Sequence, residues 1–288
     1  VAQQDTDVFV RLERFYDALP RPYARAEEIG GLVLFVREGE GWPYYARPRA
    51  GADTPSAADI TAVRQRQREL GVPESFEWVH ETTPDLLAVA RSAGLDVLLA
   101  PLLVLDPAAL VPDLPVDRGT VRFLDPDGPA FADDLAASQA VAQLGFGAPA
   151  GPASPLQGSL LIAPAGPAER DAATTRLSDA LVASQRERSA SGDYFTAVID
   201  SPDGLLATGA AMRSGDVAEV AGVATLPSAR RRGYASQLTA ALARRALAEG
   251  ATLVFLSAGD DDVARLYTKV GFRRIGTACI AEPAAAPL

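Results

Sequence analysis

Val223-Ala224-Thr225-Leu226-Pro227-Ser228-Ala229-Arg230-Arg231-Arg232-Gly233-Tyr234-Ala235 is the stretch on which the reading of this chain turns. A β-prone run enters a small-residue turn, and the turn opens a helix. Such a junction leaves backbone N–H groups unpaired at the positive end of the helix dipole, a geometry that binds a diphosphate. Gly233 and Ala235 lack bulk where the backbone must approach phosphate oxygens. Arg230, Arg231 and Arg232 add positive charge there.

Working outward, hydrophobic periodicity predicts strands over 120–124, 194–200, 205–212, 217–226, 252–256 and 273–280. It predicts helices over 129–144, 168–188, 233–249 and 262–270. In the helix from Gly233, Leu238, Ala241, Leu242 and Ala246 recur at three- and four-residue spacing, the mark of an amphipathic crossover helix. The strands meander first and then alternate with helices. That order implies an antiparallel start and a βαβ crossover at the end.

The loop reads Arg230-x-x-Gly233-x-Ala235 and in this resembles the GNAT superfamily of N-acetyltransferases, whose acetyl-CoA loop reads Gln/Arg-x-x-Gly-x-Gly/Ala. Downstream, Ala264-Arg265-Leu266-Tyr267-Thr268-Lys269-Val270-Gly271-Phe272 looks like the family's Ala-x-x-x-Tyr-x-x-x-Gly-Phe segment, and Glu219 precedes the loop on the strand. The resemblance implies an α+β (α/β) fold of two GNAT-like domains. Each would be a mixed, mainly antiparallel central sheet flanked by helices, with a βαβ crossover at the cofactor site.

It also implies roles. The backbone near Val223, Ala224 and Thr225 would pair with pantetheine as an added strand does. Arg230, Arg231, Arg232, Gly233, Tyr234, Ala235 and Ser236 would hold the diphosphate, with Ala264 beside the cofactor. Tyr267 would protonate the departing thiolate, and Glu219 would take a proton from the amine, directly or through water. Asp261 stands where many relatives carry Asn, and the run Asp260-Asp261-Asp262 reads as a helix cap.

A linker at 106–115 with three prolines puts a boundary near residue 116, giving domains 1–115 and 116–288. A second Gly/Pro/Ala-rich stretch, 145–167, reads as a long loop of the second domain. The first half repeats the later pattern in decayed form: strand 42–47, helix 56–70, strand 76–80, helix 83–93 and strand 97–105. It is seven residues shorter between Pro55 and Gly71 than the second half is between Pro227 and Gly250. The deficit falls where the second half has its Arg/Gly loop, and Ala90 takes the place of Tyr267. The first half is therefore expected to bind no acetyl-CoA and to shape an acceptor site through Glu77, Trp78, His80 or Glu81.

The 288 residues, 48% hydrophobic and 22% charged, are those of a globular chain. One cysteine, Cys279, and one histidine, His80, exclude disulfide scaffolds and Cys/His zinc sites, so no metal is expected. No Gly-x-Ser-x-Gly elbow accompanies His80. The longest apolar run, between Asp96 and Asp106, is too short to span a membrane, and the chain start lacks a leader pattern, so a cytoplasmic protein is expected. A net charge of −10 disfavours nucleic acid and favours a cationic acceptor. The reading is an N-acetyltransferase moving acetyl from acetyl-CoA, its co-substrate, to a primary amine of a small molecule. The alternative is a non-catalytic acetyl-CoA-binding sensor or regulatory protein, which needs the loop but neither Glu219 nor Tyr267.

Overall fold

The computed structural model describes residues 2–113, 118–147 and 164–284. The boundary near residue 116 and residues 148–163 of the long loop lie outside them. The chain divides into two compact units. One is made of Val1–Val104, Phe255–Thr268 and Phe272–Leu288, the other of Leu105–Val254 and Lys269–Gly271.

The first unit starts with helix α1, Ala2–Ala18, then strands β1, Ala24–Ile29, and β2, Leu32–Arg37. The two strands form an antiparallel hairpin in which Ile29 faces Leu32 across a two-residue Gly-Gly turn. Neither α1, β1 nor β2 is among the elements expected from the sequence. Strand β3, expected over 42–47, is confined to Ala46–Pro48. Pro43 cannot donate to a ladder and holds the preceding segment out of the sheet.

A crossover follows. Helix α2, Ala57–Leu70, carries the chain to β4, Phe76–Val79, which pairs with β3 in parallel. Ser56 and Asp59 form a capping box at its start, and Gly71, with φ +67°, closes its end by directing N–H groups onto the carbonyls of Gln67 and Arg68. Helix α3, Leu86–Ser92, then leads to β5, Leu95–Leu105.

The last strand of the sequence belongs to this same unit. Strand β11, Phe272–Pro283, lies antiparallel to β4, with Cys279 opposite Trp78, and separates β4 from β5. Strand β5 pairs instead with β10, Leu253–Ser257, Val104 facing Phe255. One face of the sheet buries Leu32, Leu34, Phe76, Trp78 and Cys279 against Ile60, Val63, Leu86 and Ala90. By strand alternation Arg47 and Glu77 face the other way. They pair at 2.7 Å, and the Arg47 guanidinium lies 3.7 Å from the centroid of the Tyr16 ring of α1. Burial raises the Glu77 carboxyl above its ordinary range against the opposing pull of Arg47.

The second unit is a meander of β6, Thr120–Phe123, β7, Tyr194–Ser201, β8, Gly204–Ser214, and β9, Val217–Thr225, antiparallel throughout. Helix α4, Phe131–Gly147, lies between β6 and β7 in sequence and runs three residues beyond its expected end at 144, into the stretch read as loop. The helix expected over 168–188 is two: α5, Pro167–Ala173, and α6, Asp179–Ala190. The first ends where Thr174 turns extended, at ψ 118°, and Ser178 caps the second. Helix α7, Tyr234–Ala248, buries Leu238, Leu242 and Ala246 fully. Helix α8, Asp261–Val270, precedes β11, and Asp260 accepts from the Val263 N–H at its start, as expected of a cap.

Strand β11 fills the edge of β4, so its removal should open the first unit around Trp78. In a Trp42→Phe background only Trp78 emits. A chain ended at Gly271 should show Trp78 emission shifted to the red relative to the full chain; an unshifted spectrum would mean that β4 holds without its partner.

Candidate active site

The site is built on β9 and the turn that follows. Thr208 faces Ala224 and Ala210 faces Ala221, so Gly222 and Val223 together oppose Gly209: a β-bulge. Gly222 takes φ +64°, a conformation costly for any residue with a Cβ. Gly209 has no side chain for a packing reason, since a Cβ there would lie 3.1 Å from both Leu242 and Val223. Beyond the bulge, Leu226 donates to the Leu206 carbonyl at 2.9 Å. In an antiparallel ladder the preceding residue then directs its N–H and C=O to the opposite edge. Thr225 therefore turns both backbone groups away from β8, to the side of β9 on which β10 lies.

After a short 3-10 turn, Pro227–Ala229, the chain passes through two left-handed residues, Arg231 at φ +63° and Gly233 at φ +80°. Left-handed residues in a turn gather successive N–H groups into an anion-binding concavity. Gly233 is the N-cap of α7, and no side chain caps that helix. No side chain therefore answers the first turn of α7, where the positive end of the dipole lies. Arg231, Arg232 and Gly233 are exposed, and Ala235 and Ser236 half-buried. Tyr234 is packed in the core at 1% exposure, so only its backbone belongs to the loop. Arg230 is half-buried, and its Nη2 donates to the Gly145 carbonyl at 2.7 Å.

Glu219 is on β9 opposite Met212 and is 9% exposed, unlike the solvent-facing acids usual on strands. Val223 and Thr225 are half-buried and Ala224 buried. Ala264 and Tyr267 lie three residues apart on one face of α8, both buried, and belong to the first unit. The Tyr267 ring meets Phe272 edge-on, with centroids 6.4 Å apart.

The first unit treats the equivalent junction differently. At the start of α2 the Asp59 carboxylate accepts from the backbone N–H of Ser56 at 2.9 Å and of Gly31 at 3.3 Å. The Ser56 bond leads in holding its pKa below the usual carboxylate range. A Cβ on Gly30 would lie 1.8 Å from that carboxylate. A side chain of the protein fills the place an anion would need. Of the acceptor candidates in this unit, Trp78 is core, Glu77 is held by Arg47, and Glu81 accepts from the Thr277 N–H at 3.0 Å. His80 donates its backbone N–H to the Thr277 carbonyl. Cys279 is fully buried, and burial pushes its thiol up to about 12. Among the described residues no group of His, Cys, Asp and Glu is arranged to hold a metal, and no helix is long and apolar enough to cross a membrane.

Residues 204–281 match the family model described as FR47-like protein. No curated protein matches the sequence. Among solved structures, a GCN5-related N-acetyltransferase from Kribbella flavida is similar over 94% of this chain and 95% of its own, at 24% identity and TM-score 0.65. A functionally unknown conserved protein from Staphylococcus epidermidis matches over 94% and 98%, at 14% identity and TM-score 0.55. The chain has the GNAT fold. A putative GNAT-family acetyltransferase from Novosphingobium aromaticivorans shares it over 94% and 96%, at 18% identity and TM-score 0.52. The resemblance drawn from the loop and the Tyr267 segment therefore holds for the fold, which is a mixed, mostly antiparallel sheet flanked by helices.

Two features of this GNAT fold escaped the sequence reading. The bulge at Gly222 was signalled by a lone glycine inside a β-branched run. The approach of Gly145 to β9 had no local signal.

If the loop is an anion cradle, Gly233→Glu places a carboxylate at its centre and a Cβ at φ +80°. Calorimetry with acetyl-CoA should then show no binding while the far-ultraviolet spectrum keeps its native shape; retained affinity would place the cofactor elsewhere.

Proposed function

We propose that the protein is an acyl-CoA-dependent N-acetyltransferase acting on a primary amine of a small molecule in the cytoplasm. The observation that carries this reading is the uncapped start of α7, entered through left-handed Arg231 and Gly233 and preceded by the bulge in β9. Those features suit a diphosphate followed by an extended amide-bearing arm, which together describe coenzyme A apart from its 3′-phosphoadenosine.

Acetyl-CoA supplies a thioester whose carbonyl accepts the amine and whose thiolate departs. The chain's own groups manage the charges and protons. Backbone N–H groups of the loop neutralise phosphate, and Arg231 and Arg232 add charge at an exposed rim. Thr225 offers a donor and an acceptor to an amide of the arm. Glu219, buried on β9, takes the proton that the amine loses as its nitrogen bonds to the carbonyl carbon. Tyr267 gives its phenolic proton to sulfur as the carbon–sulfur bond breaks. Holding both reactants in one orientation supplies much of the rate, and neither histidine nor a metal has a part.

The acidic balance of the chain, −10 overall, supports a cationic acceptor. A thiol-release assay across small amines tests the reading: with acetyl-CoA, at least one amine should release CoA and gain an acetyl group. Tyr267→Phe should slow that transfer by about 10² while leaving acetyl-CoA affinity nearly unchanged. Binding of acetyl-CoA without release by any amine would make the protein a sensor, and an undiminished rate in the variant would remove Tyr267 from the reaction.

A further inference from the structure

The Arg230 guanidinium does not stand clear of the protein. It is half-buried and donates to the carbonyl of Gly145 at 2.7 Å. Gly145 is in the last turn of α4, where carbonyls lack intrahelical partners and the dipole presents its negative end. A cation is well placed there, and its hydrogen bond satisfies an otherwise orphaned acceptor.

The same Gly145 stands over the part of β9 that the acyl-CoA reading needs. A Cβ on it would lie 2.9 Å from the Ala224 Cβ, 3.2 Å from the Thr225 carbonyl oxygen and 3.3 Å from the Thr225 nitrogen. Those last two atoms are the groups Thr225 turns away from β8. The end of α4 therefore sets the space beside the Thr225 backbone, and Arg230 holds the end of α4. Next in sequence, Phe146 is 65% exposed, a large apolar ring left at the same helix end.

We propose that Arg230 is a positioning residue rather than a phosphate ligand. It latches the C-terminal turn of α4 to the cofactor loop and so fixes the opening at Thr225 where the pantetheine arm pairs with β9. Arg231 and Arg232, both exposed, are left to meet the phosphates. Gln shares with Arg an N–H donor that reaches a carbonyl, and does not share its charge. This inference rests on the acyl-CoA reading.

Its test compares two thioesters, acetyl-CoA and S-acetylpantetheine, which lacks the diphosphate and the nucleotide. Calorimetric affinities for the wild type, Arg230→Met, Arg230→Gln and Arg231→Met separate the two roles. A latch predicts that Arg230→Met weakens both thioesters by the same factor, about tenfold, the order expected for loss of a charged hydrogen bond. It predicts that Arg230→Gln restores both to within about threefold of wild type, and that Arg231→Met weakens acetyl-CoA alone. If Arg230→Met weakens acetyl-CoA only, or Arg230→Gln is as impaired as Arg230→Met, Arg230 is a phosphate ligand and the latch is wrong. Should Arg230→Met not fold, Arg230→Gln decides: full affinity for both thioesters supports the latch, and selective loss of acetyl-CoA overturns it. A wild type that binds neither thioester overturns the acyl-CoA reading and the latch with it.

Discussion

Everything in the first unit depends on which strand occupies the free edge of β4. A crossover strand has two edges to satisfy, and an unmet row of N–H and C=O groups is both costly and prone to wrong pairing. The next strand in sequence, β5, does not take that place. Strand β11 does, with Cys279 set against Trp78, and β5 pairs with β10 instead. The N-terminal segment and the C-terminal strand are thus parts of one folding unit. This gives a physical reason for the chain to keep a half whose own helix start is closed to ligands.

That closure is a matter of caps. Helix α2 and helix α7 each follow a strand and a turn, and each presents unpaired N–H groups at its start. In α2 the protein answers them itself, with Ser56 and the Asp59 carboxylate. In α7 no side chain answers them, beside left-handed Arg231 and Gly233. An internal carboxylate and an external phosphate are alternative solutions to the same electrostatic problem. The chain uses one in each unit.

Much of this was legible in the sequence because it is local. The crossover helices show their caps and apolar stripes, and the loop shows its glycine and arginines. Other elements were lost for identifiable reasons. Helix α1 carries its buried residues, Leu12, Phe15 and Tyr16, at helical spacing but among many charges. The break between α5 and α6 is a change of backbone conformation at Thr174 alone, and a single residue leaves no mark on the hydrophobic period. Strand exchange left no trace, since a period of two reveals a strand and not its neighbour. The contact of Arg230 with Gly145 joins residues 85 positions apart, and no motif records it.

The central claim is that one helix start, that of α7, is open to a diphosphate, and that its counterpart on α2 is filled from within. The stoichiometry of acetyl-CoA binding to the full chain, measured by titration calorimetry, tests it most directly. One equivalent per chain is the predicted result. Two equivalents would show that the Asp59 cap does not close the first unit, and none would show that the open end of α7 is not a coenzyme A site.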